Sequence, residues 1–188
     1  MQTSPTVKTG NGVRPTTTAV PTPSRMSIGN VTKGKIEQPR RILGFGPEGV
    51  GKTTFGAGAK NSIFLCSEDG TAELDVHRMP EPRTWDEVFD AIRALATEPH
   101  NFETLVIDTL DWLEPLVWKY VCEKAGKPDV EAFGYGKGYV AALDEWRRFL
   151  AALEGLRKSR RMWVVLLAHA MIKSFKNPEG DDYDRFQL

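Results

Sequence analysis

Large apolar residues are almost absent from the first stretch of this chain, where Thr, Pro, Ser and Gly dominate. Such a composition cannot bury enough surface to offset its ordering entropy, which excludes a packed domain and predicts a disordered tail over residues 1–36. Lys8, Arg14, Arg25, Lys33 and Lys35 make it mildly basic. It reads as a passive tail or as a tether touching acidic partners. Cysteine is scarce too, with two in 188 residues. Cys66 lies in an apolar run and Cys122 late in an expected helix, which suits buried thiols rather than a disulfide. No run of about 18 apolar residues occurs and no apolar signal core opens the chain, so neither membrane span nor secretion is indicated. A cytoplasmic protein is expected. An excess of one charge is also missing, with 25 basic and 25 acidic residues. Net charge therefore makes no global case for nucleic acid, and any basic surface must be local. What remains, 40% hydrophobic and 27% charged, is the composition of one soluble globular domain.

From Arg40 the pattern changes. Ile42-Leu43-Gly44-Phe45 reads as a short strand running into a glycine-rich loop, and Thr53 to Ala59 as a helix of small residues. Ser62 to Cys66 is a second buried strand. Thr84 to Ala96 is an amphipathic helix with a Thr84–Glu87 capping box and Trp85, Val88, Phe89, Ile92 and Leu95 on one face. Thr104 to Asp108 is a third strand ending in a carboxylate. A helix follows to about Lys124, with Pro115 tolerable only near its first turn. Residues 126–138 form a loop rich in glycine. Tyr139 to Lys158 is a long helix expected to bury Leu143, Trp146, Phe149, Leu150, Leu153 and Leu156. Met162 to Ala168 is apolar throughout, as a central parallel strand covered on both faces should be. Ile172–Lys176 and Asn177–Gly180 resemble the arm and turn of a hairpin, with Tyr183–Leu188 returning. Strands alternating with helices predict an α/β fold with a mostly parallel sheet.

The segment Gly46-Pro47-Glu48-Gly49-Val50-Gly51-Lys52-Thr53 matches a phosphate-binding loop at every defined position, and Thr54 follows. Glycines let backbone N–H groups point at phosphate oxygens, and the next helix turns its positive end to the anion. Lys52 is expected at the β and γ phosphates of ATP and Thr53 on a magnesium ion. Asp108, at a strand end, suits the carboxylate that holds that ion through water. Asp111 reads as helix N-terminal charge. Glu68 and Asp69 stand beyond the second strand, at the sheet edge where ligands bind. Glu68 is either the base that activates the attacking water or a simple loop carboxylate. His169 follows the fourth strand, either sensing the γ-phosphate or only filling a hydrogen bond at a strand end. Tyr135, Lys137 and Tyr139, interleaved with glycines, suit stacking on unpaired bases beside a phosphate, or make an ordinary loop. Lys173 and Lys176 could meet DNA or a neighbouring subunit's nucleotide. Arg157-Lys158-Ser159-Arg160-Arg161 reads as solvated surface at the opposite edge.

These motifs, with Cys66-Ser67-Glu68-Asp69, Leu105-Val106-Ile107-Asp108-Thr109-Leu110 and Leu166-Leu167-Ala168-His169, resemble the core of RecA-like ATPases, and in particular minimal phage-encoded proteins of single-strand annealing, over about residues 38–188. The resemblance implies a sheet with the fourth strand between the loop strand and the Asp108 strand. It implies Glu68 as the water-activating residue, Lys52 and His169 as catalytic partners, and His169 in place of a sensing glutamine. Residues 126–138 and 171–183 fall where such proteins contact DNA. The stretch from Lys52 to Glu68 is shorter than in RecA, and relatives continue through further strands beyond Leu188, so a truncated product is expected. The implied function is a DNA-stimulated ATPase in phage recombination or replication, cytoplasmic in the bacterial host. Its implied partners are single-stranded DNA, further copies in a filament or ring, and a single-stranded-DNA-binding protein. Two alternatives stand beside it: a nucleotide-dependent loader or regulatory module that binds a protein partner, and a small-molecule kinase.

Overall fold

The computed structural model describes residues 25–66 and 70–187. The chain divides into Met1–Ile36 and Glu37–Leu188. In the first unit the described part holds one 3-10 turn, Ile28–Asn30, with no buried residue.

The second unit is built on five parallel strands. These are β1 (Arg41–Gly46), β2 (Ser62–Cys66), β3 (His77–Arg78), β4 (Thr104–Asp108) and β5 (Trp163–His169), in the order β1-β5-β4-β2-β3. Between them run α1 (Lys52–Ala57), α2 (Trp85–Thr97), α3 (Leu110–Ala125) and α4 (Lys137–Ser159). The fourth predicted strand lies between the loop strand and the Asp108 strand, as the resemblance implied. Every residue of β2 and β4 is buried, which is why they read as unbroken apolar runs. The loop strand β1 is a sheet edge, and Leu43 and Phe45 are half exposed. The two-residue β3 carries no alternation and escaped the sequence.

One face of the sheet is covered by α2, α3 and α4. Ile63, Leu65, Leu105, Ile107, Val164 and Leu166 meet Trp85, Val88, Leu113, Phe149 and Leu153 there. Thr84 caps α2 by accepting from the Glu87 N–H at 3.2 Å, while the Glu87 carboxylate accepts from the Arg83 N–H at 2.6 Å. Glu145 is buried where the three helices meet. It accepts from the Trp85 indole at 3.2 Å and from Arg148 at 2.6 Å. The Arg148 guanidinium in turn lies 3.9 Å over the Phe89 ring. Two members of the predicted α4 stripe sit elsewhere: Leu143 and Leu150 are exposed, because α4 turns its Ala142–Phe149–Leu153 line to the sheet.

The opposite face is thinner. Phe64, Cys66, Val106, Val165 and Leu167 pack under the short α1 with Ala57 and Val76. Cys66 and Cys122 are buried and form no disulfide. Pro115 lies beyond the first turn of α3, yet the helix runs on to Ala125. Its ring nitrogen cannot close the usual bond to the Asp111 carbonyl. The basic run at the C-terminal end of α4 is more than solvated surface. Arg157 donates to the Pro39 carbonyl at 2.6 Å, Arg161 to the Glu37 carbonyl at 3.0 Å, and Arg160 to the Glu98 carbonyl at 2.7 Å. These bonds fasten the chain where it enters β1 and leaves α2. Met171–Phe175 (β6) and Tyr183–Gln187 (β7) form the expected antiparallel hairpin. Among the described residues no helix is long and apolar enough to cross a membrane.

Candidate functional site

Gly46 ends β1, and the chain turns through Pro47, Glu48, Gly49 and Val50 into α1. Gly49 (φ 74°) and Gly51 (φ 93°) adopt the left-handed region, which a Cβ would strain. Lys52 folds back over this loop, its ammonium donating to the Gly46 carbonyl at 3.3 Å and the Pro47 carbonyl at 3.0 Å. The loop is thus curled around its own cation. Thr53 and Thr54 follow in the first turn of α1.

A cavity of about 310 Å³ opens above the C-terminal ends of the strands. Glu48, Gly49, Gly51, Lys52, Thr53 and Thr54 line one side of it, and Asp108, His169 and Gly70 the other. Asp108 is 1% exposed, and neither carboxylate oxygen has a hydrogen-bond partner of good geometry. Burial pushes its carboxyl up. The nearby Thr53 hydroxyl and the Lys52 ammonium pull it down without cancelling that push, and Asp111 adds to it. A buried carboxylate with two unsatisfied oxygens beside a hydroxyl is a hard-oxygen donor set, and it fits a divalent cation such as magnesium.

His169 reaches the cavity because β5 is the central strand between the other two functional ends. Its residue pairs with Gly46 across the β1–β5 ladder, and the Ala170 N–H donates to the Gly46 carbonyl at 3.0 Å. Asp111 holds His169 twice: Oδ1 accepts from the backbone N–H at 2.8 Å, and Oδ2 lies 2.7 Å from Nδ1. Burial would raise the Asp111 carboxyl, but the His169 backbone and imidazole bonds outweigh it and hold it below the usual carboxylate range. By sequence alone Asp111 is only helix-terminal charge. With β5 beside β4, the first turn of α3 necessarily abuts the end of β5, and that placement was the signal available.

Glu68 and Asp69 lie outside the described residues. Gly70, the next residue, lines the cavity. The loop after it is clamped by Arg78 of β3, which donates to the Thr71 hydroxyl at 2.7 Å and to the Thr71, Leu74 and Val76 carbonyls. Nothing in the sequence marked Arg78.

The remaining expected residues are not among those lining the cavity. Tyr135 is fully exposed and carries a positive φ of 49° between Gly134 and Gly136. Tyr139 is instead tied down, its hydroxyl donating to Glu131 at 2.5 Å and its ring meeting Trp118 edge-on at 6.2 Å. That bond to the Glu131 carboxylate, with its charge, raises the Tyr139 phenol. Lys137 opens α4 and is exposed. Lys173 lies on the exposed β6, and exposed Lys176 follows it.

Residues 38–188 match the family described as AAA domain. The chain belongs to the AAA domain family. No curated protein matches it. Membership in the AAA domain family implies nucleotide binding and points to ATPase activity, which accords with a glycine-rich loop, its lysine and a buried carboxylate around one cavity.

Proposed function

We propose that this AAA domain binds ATP with magnesium and hydrolyses it to ADP and phosphate. The observation that carries the reading is the buried, unsatisfied Asp108 carboxylate in the same cavity as Lys52 and Thr53. The loop N–H groups of residues 46–51 would cradle the phosphates, and Lys52 would exchange its bonds to the Gly46 and Pro47 carbonyls for phosphate oxygens. Thr53 and Asp108 would hold the magnesium ion, which supplies charge neutralisation at the terminal phosphate. Glu68 is the residue that the RecA-like resemblance assigns to activating the water, and His169 the residue it assigns to reading the γ-phosphate. Phosphate release measured for wild type, Lys52→Ala and Glu68→Gln tests this. Loss of turnover in both variants, with nucleotide binding retained in Glu68→Gln, is the expected result. Wild-type release no faster than that of Lys52→Ala would sink it.

The substrate coupled to hydrolysis is, in our reading, single-stranded DNA, in recombination or replication. Supporting it are the fully exposed Tyr135 on its glycine-flanked turn and the lysine-bearing hairpin that follows His169 directly. An aromatic so displayed suits stacking on an unpaired base. Fluorescence anisotropy with a labelled oligonucleotide at low salt, and turnover with and without it, are the checks. Absent binding and unchanged turnover would leave the alternative, a nucleotide-dependent module that captures a protein partner.

A further inference from the structure

We propose that Asp111 is the positioning residue that sets the orientation and proton placement of His169, so that imidazole Nε2 faces the cavity as a hydrogen-bond acceptor for the attacking water. The proposal rests on the ATPase reading above.

The argument begins with what a carboxylate can do. Ionised, Asp111 has only acceptors, so the imidazole nitrogen 2.7 Å from its Oδ2 must carry a proton. A neutral imidazole carries one N–H, and with that proton on Nδ1 the lone pair is left on Nε2. Nε2 has no hydrogen-bond partner among the described residues. The second bond, from the His169 backbone N–H to Oδ1 at 2.8 Å, fixes the strand end to the same carboxylate. The ring is therefore held at its root and at Nδ1, and Nε2 is the one polar ring atom left to work.

What Nε2 can reach follows from its neighbours. Lys52, Thr53 and Asp108 line the same cavity, and the β1–β5 register sets His169 level with Gly46, where the phosphate loop begins. A ring in this tautomer cannot donate to a phosphate oxygen through Nε2. It can accept from a water lying against the terminal phosphate. A glutamine at this position could do both, so the histidine is not a plain substitute for it. Asp111 also lies in the first turn of the helix that follows Asp108, so one short segment fixes both the buried carboxylate and the ring.

The test uses the full chain and three readouts: ATP turnover, affinity for a non-hydrolysable ATP analogue with magnesium, and the ring-nitrogen NMR signature of His169. Asp111→Asn keeps one oxygen for the backbone N–H but turns an amide nitrogen toward the ring. Nδ1 must then accept, and the proton moves to Nε2. Asp111→Ala removes both contacts. Expected are the Nδ1–H tautomer in wild type, with and without the analogue, and the Nε2–H tautomer in Asp111→Asn. Both variants should lose about tenfold or more in kcat while analogue affinity stays within about twofold, as for a partner that orients another residue. Combining Asp111→Asn with His169→Ala should cost no more than His169→Ala alone. An inverted tautomer with wild-type turnover would overturn the proposal, as would Nε2–H or a doubly protonated ring in wild type. Wild-type phosphate release no faster than that of Lys52→Ala would instead remove the ATPase reading itself, and the attacking water with it.

Discussion

A Cβ placed on Gly56 would stand 2.8 Å from Cγ1 of Val106 and 3.3 Å from the Phe64 ring. The helix that follows the phosphate loop thus rests directly on the backs of β4 and β2, and any side chain at Gly56 would have to displace Val106. Gly56→Ala gains helix propensity but must push α1 off the sheet, and overpacking of this kind costs about 1–3 kcal/mol. We expect a lower urea midpoint and weaker nucleotide binding together, because Lys52 and Thr53 ride on the displaced helix. A stable variant with unchanged affinity would contradict this account of the contact.

Asp108 is predicted to trade stability for function. Its ionised form is buried and unsatisfied, so burial raises its pKa, and at neutral pH the charge costs the nucleotide-free fold. Asp108→Asn should raise the thermal midpoint of the free protein, by about 1 kcal/mol in stability terms, while removing magnesium-dependent turnover. Calorimetry without nucleotide and a phosphate-release assay read the two halves separately.

Glu145 should be costly to remove. Glu145→Ala strands the Trp85 indole N–H and takes from Arg148 its bond at 2.6 Å. Glu145 is buried but Arg148 is nearly half exposed, so the stranded indole carries most of the loss, and about 1–3 kcal/mol of destabilisation is expected in urea unfolding. Glu145→Gln, which keeps an acceptor for the indole, should lose less.

Glu154 gives the fold an acid-sensitive fastening. Hydrogen bonds from Arg157 and Lys158 lower its carboxyl from 4.5 to about 2. A folded-state pKa below the unfolded one means that the contribution is full above about pH 4.5 and is lost as pH falls toward about 2. Wild type should therefore lose stability over that interval more steeply than Glu154→Gln. The pair is only partly buried, so the difference should shrink at molar salt. Identical acid limbs would rule the fastening out.

The parts of the fold that follow from one-dimensional pattern were legible. Ser62–Cys66 and Thr104–Asp108 announce themselves as buried parallel strands because each carries an apolar run, interrupted only at its ends by Ser62, Thr104 and Asp108, and α2 through its cap and period. The glycine-rich loop was legible because its chemistry needs those residues in that order. What the sequence withheld are contacts between distant segments. Leu143 and Leu150 sit on the helical stripe but face solvent, since which stripe is buried depends on where α4 crosses the sheet. Asp111 looks like ordinary first-turn charge until β5 is known to end beside it. The arginines at the end of α4 look like surface until β1 is seen to begin beneath them.

The register between β1 and β5 carries a mechanical meaning. The two strands are parallel, pairing from Arg41 with Val164 to Gly46 with His169. Tension applied through the segment before β1 and the hairpin after β5 would pull the strands along their own axes in opposite directions. Their ladder would then be loaded in shear, all its bonds sharing the force, and would not unzip one bond at a time. The phosphate loop and His169 stand at the same end of that ladder, so slipping it by one residue would part them.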